Sequence, residues 1–129
     1  MKDYARWDLI KAAGRVSEGL PSSALEQLKQ DLGLTDQELA SSMLMTTRTV
    51  VRRRNQERLE PDESERVYRL GRLLEIAADS LGGLTEARGW FREPSFALQD
   101  RSPLELARTQ PGAQLVERLL WQLQRGISV

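Results

Sequence analysis

Residues 34–54 read LTDQELASSMLMTTRTVVRRR and predict two short helices joined by a tight turn. Thr35 is a favourable N-cap, and Glu38 three residues later completes a capping box for the first helix. The turn is expected at residues 44–45, directly before a second helix that is rich in arginine. This stretch decides the fold, because the rest of the chain must pack around such a helical corner.

The apolar spacing within this stretch is that of a helix-turn-helix. A helix-turn-helix needs two large apolar residues, one small residue at the helix crossing and two more apolar residues at the corner. The residues at these positions are Leu39, Ala40, Met43, Met45 and Val50. Leu44 departs from the pattern, because it stands in the turn where such motifs often carry Gly. A bulky residue at positive φ costs free energy, so the turn is expected to differ in detail.

The second helix, capped by Thr46 or Thr47, is expected to present a basic outward face. The residues predicted to contact DNA are Thr47, Arg48, Thr49, Arg52 and Arg53. Residues four apart lie on adjacent rows of one helix surface, and arginines on such a helix meet guanine edges and phosphates in the major groove. The alternative is a plain helical hairpin whose basic face is solvated.

Composition excludes several classes of function. The 129 residues contain no Cys and no His, which excludes disulfides, thiol nucleophiles, the usual zinc sites and histidine bases. Neither a catalytic constellation nor a Gly-rich phosphate loop is present in the sequence, so we expect no enzyme activity and no cofactor. No apolar run approaches the roughly 20 residues that span a bilayer, and the N-terminus is not a secretory signal. We therefore expect a cytoplasmic protein without a membrane partner.

The formal net charge is zero, but the charge is unevenly distributed. Residues 46–58 hold five Arg and one Glu, a local charge of +4, whereas residues 59–86 hold seven acids and three Arg, a local charge of −4. A neutral protein with one concentrated basic helix can bind DNA, especially as a dimer that doubles the basic patch.

The fold class predicted is all-α, because no segment alternates with period two. Further helices are expected at about residues 4–13, 23–32, 61–81, 85–93, 102–108 and 113–124, with a connector at residues 14–21 and a break at Pro111-Gly112. We divide the chain into an N-terminal helix-turn-helix domain, residues 1–59, and a small helical domain, residues 60–129. The longest periodic segment begins at Pro61 and ends before Gly82.

The final helix carries an inward stripe and one additional aromatic residue. The stripe is formed by Leu115, Val116, Leu119, Leu120 and Leu123. Trp121 lies beside this stripe and gives the helix a second apolar face, which is either a partner surface or the edge of a wide core face.

Residues 19–129 resemble the antitoxins of the Xre/MbcA/ParS type, which are the partners of RES-domain toxins. In the N-terminal half the resemblance lies in Leu39-Ala40 and in residues 49–53. In the C-terminal half it follows Glu63-Ser64-Glu65-Arg66, Arg69-Leu70, Arg72-Leu73, Ala87, Trp90, Pro94, Ala97-Leu98, Ser102-Pro103-Leu104, Thr109, Gly112-Ala113, Val116, Leu119-Leu120 and Gly126. Gln99-Asp100 replaces a Gly pair that is usual in this family.

The resemblance implies a type II antitoxin that forms a homodimer, neutralises a cognate RES-domain toxin and represses its own operon by binding operator DNA. RES toxins attack NAD or transfer ADP-ribose from it. The domain at residues 60–129 would bind the toxin and dimerise, with the long helix at the core of the dimer. The toxin-binding residues expected from the resemblance are Trp121, Arg125, Gly126, Ile127 and Val129, with the tail crossing the NAD pocket or, alternatively, remaining idle.

A second hypothesis assigns the chain to another class of protein. It would be a helical interaction module whose helix-turn-helix mediates dimerisation and does not read DNA. The arginine cluster at residues 48–54 favours DNA binding, because a dimer interface does not normally bury that many unpaired charges.

Overall fold

The computed structural model describes residues 3–126, and every regular element in that range is helical, which confirms the all-α class. A 3₁₀ turn at Tyr4–Arg6 is followed by α1 (Leu9–Glu18), α2 (Ser23–Leu32), α3 (Asp36–Ser42), α4 (Thr47–Arg53), α5 (Pro61–Leu81), α6 (Leu84–Arg92), a second 3₁₀ turn (Phe96–Leu98), α7 (Pro103–Leu106) and α8 (Gln110–Gln124). None of these helices is long and apolar enough to cross a membrane.

Helix α5 is the centre of the molecule, and its bounds are those predicted from the sequence. Pro61 stands in its first turn, Glu60 and Glu63 form a capping box, and Gly82 ends it in the left-handed conformation at φ 98°. It packs against the first 3₁₀ turn, α1, α2, α6 and α8. Helices of the same chain bury one side of α5, and its expected place at the core of a dimer stays a prediction.

The first α-helix begins later and runs further than the sequence pattern indicated. The side chain of Asp8 caps it by accepting a hydrogen bond from the backbone N–H of Lys11 at 2.8 Å. The helix then continues through Gly14, so the predicted connector is shorter. Leu9 and Ile10 stand at the start of this helix and are 81% and 88% exposed.

The segment before α1 is fastened to α5 by a buried carboxylate. The backbone N–H groups of Tyr4 and Ala5 donate to the two carboxylate oxygens of Glu75 at 3.0 and 2.8 Å. Burial raises the pKa of Glu75, and these two hydrogen bonds oppose that rise. The Tyr4 ring lies against Gly71, where a Cβ atom would sit 2.5 Å from it. Burial also raises the pKa of Tyr4 to about 12.

The connectors on either side of the helix-turn-helix are joined to each other. Leu59 donates its backbone N–H to the carbonyl of Leu20 at 2.8 Å, and Ser22 donates to the carbonyl of Glu57 at 3.1 Å. The hydroxyl of Ser64 accepts from the backbone N–H of Leu20 at 2.8 Å. One cluster of buried apolar residues includes members from both sides of this junction. The division of the chain after residue 59 remains a prediction.

The C-terminal helices differ from the prediction in detail. Gly83 precedes α6, which begins at Leu84, one residue before the expected start at residue 85. Thr109 caps α8 by accepting from the N–H of Gly112 at 3.2 Å, so Pro111-Gly112 lies in the first turn and is not a break. Val116, Leu119 and Leu120 are buried as predicted, and Leu123 is half-buried. Leu115 is 45% exposed instead, because the inward face of α8 centres on residues 113, 116 and 120.

Candidate functional sites

The turn of the helix-turn-helix lies where the sequence predicted it, with Leu44 in the left-handed conformation at φ 56°. Its N–H donates to the carbonyl of Ser41 at 3.3 Å, and the N–H of Met45 donates to the carbonyl of Ala40 at 2.9 Å. These two bonds form a Schellman motif that satisfies the last carbonyls of α3. A non-glycine residue in this conformation costs roughly 1–2 kcal/mol. The turn thus has the left-handed backbone conformation usual for this motif, with Leu44 in place of the usual glycine.

Both helices of the motif are capped by threonine. Thr35 and Glu38 form the predicted capping box. The Thr35 backbone N–H is the main cause of the lowered pKa of Glu38, and the Arg92 guanidinium adds to it. Thr46 caps α4 by accepting from the N–H of Thr49 at 3.1 Å. Val50 is fully buried behind α4, so the orientation of this helix is fixed by packing as well as by its cap.

The outward face of α4 contains most of the residues predicted to contact DNA. Thr47, Arg48 and Arg52 are exposed, whereas Thr49 is half-buried and its hydroxyl is hydrogen-bonded to that of Thr46 at 3.0 Å. Within residues 3–126, neither Arg48 nor Arg52 forms an ion pair. Val51 is 46% exposed on the same face and was absent from the predicted site. Val51 is three residues from Arg48, and this spacing indicates that the two residues share a helix face.

Arg53 does not lie on the outward face, and this part of the prediction is wrong. Its guanidinium turns towards the start of α5, where Nε and Nη2 donate to Glu63 at 2.8 and 2.9 Å. The two side chains are only 12% and 7% exposed. The hydrogen bonds that Arg53 donates to Glu63 are the main cause of the raised pKa of Arg53. Arg53 therefore ties α4 to α5 in this conformation.

Arg54 also forms ion pairs within the chain, at the surface. It forms a bidentate ion pair with Asp36 at the start of α3 and donates to Glu26 of α2 at 3.1 Å. Hydrogen bonds from Arg54 and then Lys29 lower the pKa of Asp36 to about 2. The run of three arginines in the sequence thus separates into one outward residue and two that hold helices together.

On the opposite half of the chain, Trp121 is held in place on the surface of α8. It is 41% exposed, and its indole N–H donates to Glu117 at 3.1 Å. Glu117 is in turn paired with Arg72 of α5. The hydrogen bond from Arg72 is the main cause of the lowered pKa of Glu117. The prediction of a second apolar face is consistent with this exposed and oriented ring.

The other residues of the predicted toxin-binding surface follow α8. Arg125 is exposed at the C-terminal end of the helix, and Gly126 has φ 76°, so the chain leaves the helix there. Ile127 and Val129 lie outside the described residues. A shallow concavity of about 450 Å³ is lined by Gln110, Gln114, Glu117, Arg118, Trp121 and Arg125. Trp121 and Arg125 are therefore brought together on one surface.

Comparison with known families matches almost the whole described chain. The antitoxin Xre-like helix-turn-helix domain matches residues 11–72, and the antitoxin Xre/MbcA/ParS C-terminal toxin-binding domain matches residues 77–126. The chain therefore belongs to the Xre/MbcA/ParS antitoxin family.

Two relatives named as antitoxins agree with this assignment. The chain is similar to the antitoxin Xre of Yersinia enterocolitica, with 37% identity over 83 residues that cover 63% of this chain and 56% of the relative. It is 28% identical to the Prs ADP-ribosylating antitoxin of a Sphingobium species over 127 residues, covering 91% of this chain and 80% of that one.

The fold is similar to a chain in the crystal structure of the M. tuberculosis MbcT–MbcA toxin-antitoxin complex. The TM-score is 0.64 at 21% identity, and the match covers 84% of this chain and 96% of that chain. The Yersinia match, in contrast, spans little more than half of that relative's length.

Proposed function

We propose that this chain is the antitoxin of a type II toxin-antitoxin system. It binds and neutralises a RES-domain toxin that degrades NAD or transfers ADP-ribose, and as a homodimer it represses its own operon. The match of residues 77–126 to a toxin-binding domain carries the antitoxin part of this proposal. The relatives named as antitoxins and the similar chain in a toxin-antitoxin complex support it.

The outward face of α4 supports DNA reading. Arg48 and Arg52 are four residues apart, so both guanidinium groups can reach one major groove from the same helix surface. Val51 between them offers an apolar contact for a thymine methyl group. The ion pairs of Arg53 and Arg54 tie the C-terminal end of α4 to α5, α3 and α2, and a helix held in place loses less entropy on binding.

The alternative is that α4 serves dimerisation and does not read DNA. The zero net charge and the internal pairing of Arg53 and Arg54 favour this alternative, because they leave less free positive charge than the sequence suggested. Burying Arg48 and Arg52 in a dimer interface without partners would cost several kcal/mol, which favours DNA binding. We therefore retain DNA binding as the function of α4.

The surface around Trp121 supports toxin binding. A tryptophan that is partly exposed and already oriented by a hydrogen bond binds a partner without first losing rotamer freedom. Arg125 on the same surface can pair with acidic groups of the toxin. In this proposal the residues from Gly126 to the end of the chain cross the NAD pocket and exclude the substrate.

The test of the toxin-binding proposal uses two variants and one control. Trp121→Ala and a chain lacking residues 126–129 should each weaken inhibition of the toxin's NAD turnover about tenfold or more, roughly 1.4 kcal/mol. Leu115→Ala removes an equally exposed side chain from the same helix and should leave inhibition unchanged. If the truncated chain neutralises the toxin at equal stoichiometry, the tail has no inhibitory role.

A further inference from the structure

Helix α6 carries two arginines that belong neither to the outward face of α4 nor to the surface around Trp121. Arg88 and Arg92 are four residues apart, and each directly follows a fully buried residue, Ala87 or Phe91. The buried pair packs α6 into the common core, so the neighbouring row of arginines is held at the edge of that core. The helix lies within residues 77–126, the segment that matches the toxin-binding domain.

Arg88 caps the end of another helix, α2. Its Nε donates to the carbonyl of Asp31 at 2.6 Å, and its Nη2 donates to the carbonyl of Gln30 at 3.0 Å. Both carbonyls lie in the last turn of α2, where the regular helical ladder ends and the helix dipole favours a cation. A side chain of α6 thus fixes the position at which α2 ends.

Arg92 continues this contact into the helix-turn-helix. Its Nη1 donates to the carbonyl of Gly33 at 3.3 Å, and its Nη2 donates to the carboxylate of Glu38 at 2.6 Å. Gly33 is the turning point between α2 and α3, with φ 66°, and Glu38 closes the capping box of α3. The end of α2, the turn and the start of α3 are therefore all hydrogen-bonded to α6.

The other end of α3 is held by α5. Arg66 donates from Nη1 to the carbonyl of Met43 at 3.2 Å, directly before the turn that leads into α4. With Arg92 at its first turn and Arg66 at its end, α3 cannot tilt without breaking charge-assisted hydrogen bonds. Because α4 packs against α3, the orientation of the recognition helix follows that of α3.

We infer that Arg88 and Arg92 are positioning residues for DNA reading, which orient the helix-turn-helix from within the toxin-binding domain. Their guanidinium groups are already occupied by backbone carbonyls and by Glu38, so they do not contact DNA themselves. This inference rests on the DNA binding in the proposed function and names residues that set its geometry. Side chains read base edges only when they are held close to the productive geometry, so a loosened corner between α2 and α3 lowers the affinity for the operator.

The first test measures the affinity of the full chain for its promoter fragment by fluorescence anisotropy. Arg88→Gln and Arg92→Gln should each weaken binding by about 3- to 30-fold, the range typical of residues that act on a site without touching its ligand. Arg101→Gln is the matched control, because Arg101 is exposed and its side chain forms no hydrogen bond or ion pair within residues 3–126. This control also removes one positive charge and should bind like the unsubstituted chain. Unfolding curves identify a temperature at which every variant is folded.

Two further readouts separate positioning from direct contact with DNA. A residue that neutralises a phosphate contributes roughly 0.9 to the slope of log affinity against log salt concentration. The slopes of Arg88→Gln and Arg92→Gln should therefore equal that of the unsubstituted chain. Arg92→Lys keeps a cation beside Glu38 and should restore most of the affinity that Arg92→Gln loses.

The orientation of the motif can be measured with spin labels, because the sequence contains no cysteine. Gln37→Cys on α3 and Leu115→Cys on α8 provide two exposed labelling positions. The distribution of distances between the two labels should broaden when Arg88→Gln is added. It should stay unchanged when Arg101→Gln is added.

Each outcome that would overturn the inference has a distinct meaning. If the unsubstituted chain binds promoter and random DNA equally, the DNA reading of the proposed function fails and the inference fails with it. If the promoter is read but Arg88→Gln and Arg92→Gln bind as tightly as the unsubstituted chain, or the label distances stay unchanged, only the positioning role is wrong. If the salt slope of either variant falls by about one, that arginine contacts a phosphate instead.

Discussion

The outward and inward faces of α4 use the same residue type in opposite ways. Arg48 and Arg52 are exposed and, within the described part of the chain, unpaired, whereas Arg53 and Arg54 are locked to acids on α5, α3 and α2. Successive residues of a helix point about 100° apart, so adjacent arginines can serve separate purposes. A run of basic residues in the sequence is therefore not equivalent to a basic surface. Its charge must be counted after the internal ion pairs have been formed.

The largest effect that tests this comparison is the loss of stability when an arginine on the inward face is removed. Arg53→Ala leaves Glu63, which is 5% exposed, without its charged partner. We expect the free energy of unfolding to fall by about 2–3 kcal/mol, because an unpaired buried carboxylate is costly. Urea denaturation measures this change. Arg52→Ala, which removes an exposed arginine from the same helix, should change stability by no more than about 0.5 kcal/mol. Equal effects of the two substitutions would contradict the division between inner and outer arginines.

The turn that positions the outer face gives a smaller effect of opposite sign. Leu44 is 56% exposed and held at φ 56°, so Leu44→Gly relieves backbone strain and loses little buried surface. Part of the gain is offset by the greater freedom of glycine in the unfolded chain. We expect thermal or urea unfolding to show a net stabilisation of about 0.5–1 kcal/mol. Leu44→Ala keeps the strained conformation and should show no such gain. A destabilised Leu44→Gly variant would show that the turn is not strained.

The smallest expected effect is on the stability of the protein at low pH. The pKa of Asp36 is lowered to about 2 by Arg54 and Lys29. A carboxyl whose pKa is lower in the folded state stabilises the protein above its unfolded pKa, and this contribution is lost as pH falls through the folded pKa. Asp36→Asn should therefore have a shallower decline in stability between about pH 4 and pH 2. Denaturation at several pH values measures the slopes, and identical slopes for both chains would contradict the assigned pairing.

Sequence patterns correctly predicted the structural features that depend only on neighbouring residues. The bounds of α5, the capping box of Thr35 and the site of the turn all follow from caps, glycines and periodicity, which act within a few residues. The two surfaces at Arg48–Arg52 and at Trp121 were also predicted, because their spacing along a helix fixes which residues share a face.

Features that depend on contacts distant in the sequence were not predictable in this way. The side chain of Arg53 turns towards Glu63, ten residues away. The side chain of Trp121 is oriented by Glu117, and Glu117 is held in turn by Arg72 on α5. The exposure of Leu9 and Ile10 could not be predicted either, because periodicity records only that a residue is apolar. Whether another element covers such a residue is decided by tertiary packing.

The central claim is that the outer arginines of α4 read DNA while the inner ones support the helix. The most direct measurement is fluorescence anisotropy of a fragment of the chain's own promoter and of a random fragment, at several salt concentrations. We expect preferential, salt-dependent binding to the promoter. Arg48→Ala and Arg52→Ala should each cost on the order of 1–3 kcal/mol in binding without loss of stability. Equal affinity for both fragments, or variants that bind the promoter as tightly as the unsubstituted chain, would contradict it.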